Sequence, residues 1–193
     1  MKYKNIYEIS KILPEEETRT FTILLNKKWD YVKVTHNISK GFGWINIMSS
    51  YGDYSYIWNA MGDNCDLPKF FMKADKYYLA NKLFGAEQTE FCIDKAVKDL
   101  KKDICKDRRE GNISKKQARD VFDFIEEELH CHMSPEKFGD AMNESDAINN
   151  WYPEWWDSDF GIRYKSRYLV LQDEIIPMLQ EYFEGTLKEG RLD

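Results

Sequence analysis

The spacing of apolar residues changes once along the chain, and this change is the strongest constraint on its fold. Up to residue 60, apolar and polar side chains alternate in short runs separated by turn residues. A period of two is typical of strands that bury one face. The predicted strands are Thr20 to Lys27, Trp29 to His36, Phe42 to Ser50 and Tyr54 to Trp58. Because their connections are short, we predict a four-strand antiparallel β-meander over residues 19–60.

From Leu67 onward the apolar residues recur at helical spacing. One stripe steps by three or four residues from Ile93 to Ile104, and Ser114 with Gln117 forms a capping box. The predicted helices are two short ones between Leu67 and Gly85, one from Thr89 to Arg109, one after Ser114, one from Ser134 to Met142 and one from Tyr164 to Glu184. Pro177 should bend the last of these. The predicted fold class is α+β, with the N-terminal four-strand antiparallel β-meander packed against a C-terminal bundle of about five helices over residues 67–185.

Length and composition are those of one ordinary domain. The chain has 193 residues, of which 42% are hydrophobic and 15% aromatic, so we predict a single α+β domain over residues 1–193. The N-terminus lacks the apolar core of a signal peptide, and no stretch approaches the about 18 apolar residues of a membrane span. The four cysteines are widely spaced and form no CxxC pair. These features predict a cytoplasmic protein without disulfides.

Negative charge is concentrated in the last third of the chain. The formal net charge is -6, and residues 134–193 carry 6 basic and 13 acidic side chains, against 22 basic and 21 acidic in the rest. A negative net charge disfavours binding to nucleic acid or to an acidic membrane surface. We predict an acidic face that binds a basic protein partner. A solvated face that keeps the protein soluble is the alternative.

Residues 143–161 form the longest predicted loop, and aromatic residues are concentrated in it. Long loops are usually either functional or disordered, and this many aromatic residues argue against disorder. We predict that the segment forms part of a partner-binding surface. Its candidate residues are Trp151, Trp155, Trp156, Asp157 and Asp159.

A second aromatic group lies in the last predicted strand, where Tyr54, Tyr56 and Trp58 share one face. The rings either form the core between the sheet and the helices or form an amphipathic platform for a partner, because Tyr and Trp dominate binding hot spots. We include the three residues among the predicted partner-binding residues.

The sequence contains no GxSxG, P-loop, GxGxxG or HExxH signature. His130, Cys131 and His132 are consecutive, but ligands on a helix need a spacing of three or four residues, which Glu126 and His130 have. The DFG triplet at residues 159–161 has no HRD loop before it, so it does not indicate a kinase. We predict no catalytic residue, no metal site and no cofactor.

Two alternative functions remain open. The first is an enzyme that processes a nucleotide or nucleic acid, with Asp53, His130 and His132 assembled in three dimensions. The second is a sheet that binds single-stranded nucleic acid, because basic and aromatic residues are mixed in the meander. Its candidate residues are Lys27, Lys28, Trp29, Tyr31, Lys33, Lys40, Phe42 and Trp44.

The most distinctive strings are YGDYSYIWNAMG at residues 51–62 and DLPKFFMKADKYYLANKLFG at residues 66–85. Over residues 42–130, where two charged helices follow these strings, the chain resembles a group of small accessory proteins of tailed bacteriophages and prophages, most of them without an assigned function. The positions that carry the resemblance are Tyr54, Ser55, Trp58, Gly62, Phe70, Tyr78, Leu79 and Leu83.

The resemblance implies a phage accessory protein made in the cytoplasm of the bacterial host, and it transfers no catalytic residue. Small acidic phage proteins often bind and block host machinery, including defence systems. We therefore predict a non-enzymatic protein that binds a host or phage protein with a basic surface, with inhibition of a host defence system as one outcome. The sequence leaves a homo-oligomer open.

Overall fold

The N-terminal part of the protein is a four-stranded antiparallel sheet in the order β1-β2-β3-β4. The computed structural model describes residues 18–24 and 30–188. The strands are β1 Thr18–Leu24, β2 Tyr31–Asn37, β3 Lys40–Ser49 and β4 Gly52–Asp66. The predictions of an α+β fold and of an N-terminal antiparallel meander are confirmed. Residues 25–27 of the predicted first strand and Trp29 of the predicted second strand lie outside the described residues.

Alternation of burial along the strands explains why these residues form a sheet. Val32, Val34, Ile45 and Ile47 are almost completely buried, and the residues between them are exposed or partly exposed. Val34 pairs with Ile47, which pairs with Tyr54, so the inner side chains lie beside each other across three strands. The sheet therefore buries one face and leaves the other towards solvent.

Strand β4 is longer than predicted because glycines accommodate a register shift near its end. Gly41 pairs with Gly62, and both have a positive φ, of 82° and 90°. A register shift lies on each side of Gly41. Glycine adopts this backbone conformation without steric strain, so β4 continues past Trp58 as far as Asp66.

Four helices cover the inner face of the sheet. They are α1 Leu67–Lys73, α2 Lys76–Phe84, α7 Ser166–Val170 and α8 Ile176–Lys188, with the π-helical turn Leu171–Ile175 between the last two. Phe71 and Phe183 are fully buried in the shared core, with ring centroids 5.7 Å apart. Within the described residues, this sheet and these helices form a first compact unit, made of residues 18–24, 30–86 and 167–188.

The π-helical turn lies directly before Pro177, where the sequence predicts a bend. Proline has no N–H and its ring crowds the carbonyl group four residues earlier. The N–H of Ile176 donates to the carbonyl oxygen of Leu171, five residues back. This wider turn is the local irregularity that accompanies the proline.

A second compact unit comprises residues 87–166. Its elements are β5 Thr89–Phe91, α3 Ile93–Glu110, α4 Lys115–Glu128, α5 Pro135–Glu144, α6 Asp146–Trp151, the 3₁₀ turn Trp155–Asp157 and β6 Ile162–Tyr164. Leu100, Val121, Met142 and Ile148 are fully buried in its own core. The described helices are therefore divided between two cores, and a single domain over residues 1–193 stays a prediction.

Two boundaries in the second unit differ from the predicted ones. The helix predicted to begin at Thr89 begins at Ile93, because Thr89–Phe91 pairs with Ile162–Tyr164 as a two-stranded sheet. The segment 143–161, predicted to be a loop, contains α6 and the 3₁₀ turn. Among the described residues, no helix has the length and apolar character needed to cross a bilayer.

His36 makes the stability of the first unit dependent on pH. Its side chain is 1% exposed, its Nδ1–H donates to the carbonyl oxygen of Asn37 at 2.8 Å, and its ring contacts Phe183 edge-on. Burial lowers the pKa of His36 below the ordinary value of 6.5, and the positive charge of Arg19 lowers it further. The Asn37 carbonyl and, more weakly, Asp66 raise it in part. The folded unit therefore holds His36 neutral where the unfolded chain binds a proton.

We expect stability to fall as the pH decreases below about 6.5, with a slope of up to about 1.4 kcal/mol per pH unit from this residue. Well above pH 6.5 the side chain is neutral in both states and contributes no slope. Urea unfolding between pH 5 and pH 8 measures the effect, with His36→Gln as the control that cannot titrate. An identical pH dependence in both proteins would contradict the prediction.

Candidate functional site

The turn between α6 and β6 presents an exposed tryptophan among carboxylates. Trp156 is 60% exposed and Tyr152 is 36% exposed. Glu154, Asp157 and Asp159 are exposed beside them. We name these five residues the Trp156 surface. Its apolar ring and charged rim are the features of residues that anchor protein interfaces.

Contacts with the core of the second unit hold this turn in place. The ring of Trp155 packs edge-on against Phe138, with centroids 5.9 Å apart. The Nε1–H of Trp151 donates to Oδ2 of Asp107 on α3 at 2.8 Å. The hydroxyl groups of Ser158 and Tyr152 lie 2.8 Å apart and are hydrogen-bonded. Because the neighbours of Trp156 are anchored, the backbone that carries its ring is held in place before any partner binds, which lowers the entropy lost on binding.

The charge around the turn is of one sign. Between Lys137 and Arg163 the chain has no basic residue. Its acidic residues there are Asp140, Glu144, Asp146, Glu154, Asp157 and Asp159. All six are exposed, and none forms an ion pair within residues 18–24 and 30–188. The surface therefore offers unpaired carboxylates to a cationic partner.

The aromatic side chains of β4, which the sequence predicts as a second partner-binding group, lie mostly in the core. Tyr54 and Trp58 are only 5% and 4% exposed. The Tyr54 hydroxyl lies 3.1 Å and 3.3 Å from the carbonyl oxygens of Tyr51 and Arg167, and burial raises the pKa of Tyr54. The Nε1–H of Trp58 donates to the Tyr78 hydroxyl at 3.1 Å. Of the two interpretations, the structure therefore places Tyr54 and Trp58 in the core, where they offer little surface to a partner.

Tyr56 differs from its two neighbours because its ring is only partly buried. The ring packs against Trp58 with centroids 4.8 Å apart, and the ammonium group of Lys82 lies 5.4 Å from its centroid. This cation–π contact covers part of the ring. The accessible part of the predicted platform is thus small.

A comparison with known protein families decides the affiliation of the chain. The model of a phage family matches residues 8–185, which is almost the whole chain. The protein belongs to this phage family. Among curated proteins and among solved structures none matches the chain. The family match confirms the phage origin that the sequence resemblance implies.

The histidines of the enzyme alternative lie in an exposed turn of this phage protein. Helix α4 ends at Glu128, so His130 is not on the helix and does not share a face with Glu126. Glu126 instead forms an ion pair with Lys101, and His132 has a φ of 69° in the turn. Among the described residues, no group of three or more His, Cys, Asp or Glu side chains could hold a metal ion.

The residues of the nucleotide-processing alternative are distributed over both units. Asp53 lies on β4 in the first unit, and His130 and His132 lie in the second. All three are exposed. Neither unit by itself therefore contains the three residues on which that alternative depends.

On this phage protein, the sheet surface considered for nucleic-acid binding carries acidic as well as basic side chains. Lys33 lies on the solvent face of the sheet, in register with Met48, which pairs with Asp53. The negative charge of Asp53 in the same row reduces the attraction of Lys33 for phosphate groups. Tyr31 is 40% exposed, and Trp44 is partly buried. Lys27, Lys28 and Trp29 lie outside the described residues.

Two residues of the Trp156 surface, Tyr152 and Glu154, are missing from the residues predicted on the sequence. The absence of basic residues between Lys137 and Arg163 marks the whole stretch as acidic, and this signal could have included Glu154. No sequence signal separates Trp156 from Trp155, because their exposure depends on the packing of the neighbouring helix α5.

Proposed function

We propose that this phage-family protein acts by binding a host or phage protein with a basic surface, and that it does so through the Trp156 surface. The observation that carries the proposal is an indole ring 60% exposed on an anchored turn, in a stretch of chain without a single cation. Exposure of a single ring does not by itself mark a binding site, but here the ring stands on an anchored turn within a rim of unpaired carboxylates, which is the composition of an interface anchor.

The side chains of the Trp156 surface determine what kind of partner it can bind. An indole ring binds well in an apolar pocket or against an arginine side chain. The carboxylates of Glu154, Asp157 and Asp159 pair with lysine or arginine around that pocket and accelerate association by electrostatic attraction. Such rim charges contribute mainly to the association rate and to specificity, whereas the central ring contributes most of the affinity.

Covering a basic surface would inhibit a protein that uses that surface to bind a polyanion. A host defence protein that contacts nucleic acid fits this description, because the carboxylates compete with phosphate groups for the same cations. In this proposal the protein acts in the cytoplasm of the bacterial host, and its role is binding rather than catalysis.

An aromatic photocrosslinking residue at position 156, which keeps a large apolar ring there, tests the proposal in the infected host cell. Tyr77 provides a matched control position, because its ring is 53% exposed and it belongs to the first unit. We expect irradiation to attach a distinct host or phage protein at position 156 and not at position 77. The same set of adducts at both positions, or none at position 156, would overturn the proposal.

The captured protein, once purified, allows a direct binding measurement. We expect Trp156→Ala to weaken binding by about 30-fold, which corresponds to about 2 kcal/mol. Tyr77→Ala should leave the affinity unchanged. Binding should also weaken as salt increases, because exposed charges are screened. A captured protein that binds wild type and Trp156→Ala equally well would contradict the proposal.

A further inference from the structure

The connection between α3 and α4 has the opposite charge to the Trp156 surface. We name residues 106–119 the hairpin tip. It contains two acidic residues, Asp107 and Glu110, both of which accept hydrogen bonds from Asn112. Its six basic residues are all exposed and are Lys106, Arg108, Arg109, Lys115, Lys116 and Arg119. In the described part of the chain, Arg119 is the one among them that forms an ion pair, with Asp123.

An apolar depression lies within this basic tip. Its volume is about 240 Å³, and its lining residues are Ile104, Cys105, Arg108, Arg109, Ala118 and Phe122. Pockets for small-molecule ligands usually measure about 300–1,000 Å³. The smaller depression, whose apolar lining includes two exposed arginine residues, therefore fits one large apolar side chain that has carboxylates beside it.

The second unit itself carries a side chain of this description. Trp156 is a large apolar ring with Glu154, Asp157 and Asp159 close to it in the chain. Within one copy Trp156 is 60% exposed, so it does not occupy the depression of its own molecule. We infer that the hairpin tip binds the Trp156 surface of a second copy of this chain.

In this contact the indole ring fills the depression against Phe122, and the guanidinium groups of Arg108 and Arg109 meet Asp157 and Asp159. Arginine suits both tasks, because its planar group binds carboxylates and stacks on aromatic rings. The charge complementarity also selects this occupant over a nucleic acid, which has phosphate groups but no apolar side chain for the depression.

The two surfaces are different, so the association is head-to-tail. Each copy uses its hairpin tip for one neighbour and its Trp156 surface for another, and growth stops only if a ring closes. A copy engaged in this way hides the surface that the proposed function assigns to a partner. Self-association and partner binding therefore compete, although the hairpin contact does not rest on the proposed function.

Two complementary variants test the inference. Arg108→Glu with Arg109→Glu disables the hairpin tip and keeps the Trp156 surface. Trp156→Ala with Asp157→Asn disables the Trp156 surface and keeps the hairpin tip. All four side chains are exposed, so both variants should fold, which circular dichroism checks. The measurement is sedimentation velocity over a concentration series at about 0.15 M salt, where the Debye length is about 8 Å.

We expect wild type to show association that increases with concentration, and each variant alone to remain monomeric. An equimolar mixture of the variants should form a 1:1 complex and nothing larger, because each contributes its one intact surface. The complex should dissociate at about 1 M salt, where the Debye length is about 3 Å. A monomeric wild type at every concentration, a mixture that stays monomeric, or variants that associate as wild type does would each overturn the inference.

A labelled single-stranded oligonucleotide distinguishes the other possible occupant. We expect no binding at about 0.15 M salt. Binding that is lost in the Arg108→Glu/Arg109→Glu variant, together with a monomeric mixture, would assign the hairpin tip to nucleic acid and overturn self-association. Partner binding and self-association can be tested separately by crosslinking at position 156 in the Arg108→Glu/Arg109→Glu variant. This variant lacks the hairpin tip but retains the Trp156 surface, which the proposed function requires.

Discussion

Replacing Gly161 with alanine should lower the free energy of unfolding of the second unit by about 3 kcal/mol. Gly161 has a φ of +75°, and a Cβ atom there would lie 2.8 Å from Phe91 Cε2, 2.9 Å from Ala96 Cβ and 3.0 Å from the carbonyl oxygen of Cys92. The left-handed conformation costs an alanine about 1–2 kcal/mol, and overpacking adds about 1–3 kcal/mol. Urea unfolding followed by circular dichroism measures the loss.

Gly111→Ala is the matched control for this prediction. Gly111 has a φ of +80° at the end of α3, and a Cβ atom there would have nothing within 4 Å. The control therefore introduces the backbone strain without the steric clash. We expect it to lower the free energy of unfolding by about 1 kcal/mol. Equal losses in both variants would show that the close approach at Gly161 has no energetic effect.

Gly161 also connects the stability of the second unit to the candidate site. Its carbonyl oxygen accepts the N–H of Cys92 at 2.8 Å, directly before α3. Its own N–H donates to Oδ2 of Asp99 at 3.4 Å. These contacts fix the end of the turn that carries Trp156. We therefore expect faster amide hydrogen exchange in residues 152–160 of Gly161→Ala than in Gly111→Ala.

The parts of the fold that follow from the sequence are those with local signals. Alternation in the first 60 residues predicts the meander, because one face of each strand is buried and the next residue is not. The capping box of Ser114 and Gln117 forms as predicted and begins α4. Gly85 and Gly111 end α2 and α3 with a positive φ. Each of these features depends on a few adjacent residues.

The parts that do not follow depend on distant pairing. Strands Thr89–Phe91 and Ile162–Tyr164 have three residues each and lie about 70 residues apart in the chain. Three residues are too few to show an alternating pattern. Thr89–Phe91 therefore reads as the beginning of the amphipathic helix that follows it.

The sequence predicts which stretch of the chain contains the candidate site, but not which of its side chains are exposed. Charge counting identifies the acidic third of the chain, and aromatic content identifies the stretch around Trp156. The basic hairpin tip is hidden in the count, because residues 61–133 carry 14 basic and 15 acidic side chains. A count over residues 106–119 alone shows the excess, with six basic and two acidic side chains.

Trp155 and Trp156 are adjacent in sequence, but their replacement by alanine should change the stability of the second unit to very different extents. Trp155→Ala should lower the free energy of unfolding of the second unit by about 2–3 kcal/mol, because a ring packed on Phe138 is lost and a cavity is left. Trp156→Ala should change it by no more than about 0.5 kcal/mol, because that ring is mainly exposed. Urea unfolding measures both.

Trp155→Phe is the control that separates packing from hydrogen bonding. The Nε1–H of Trp155 is buried and has no hydrogen-bond acceptor among the described residues. An unsatisfied buried N–H opposes folding, so phenylalanine keeps most of the ring contact and removes this unfavourable group. We expect Trp155→Phe to be more stable than Trp155→Ala. A larger loss for Trp156→Ala than for Trp155→Ala would contradict the assignment of the two rings.

Both alanine variants should also bind a partner more weakly, but for different reasons. In Trp156→Ala the turn is intact and the contact ring is missing, so amide exchange in residues 152–160 should match wild type. In Trp155→Ala the Trp156 ring is present, but the turn has lost the Trp155 ring that anchors it. Amide exchange should therefore be faster, and binding should be weaker because the turn must be ordered when the partner binds. Lowering the temperature should restore binding to Trp155→Ala more than to Trp156→Ala, because only the first loss is mainly entropic.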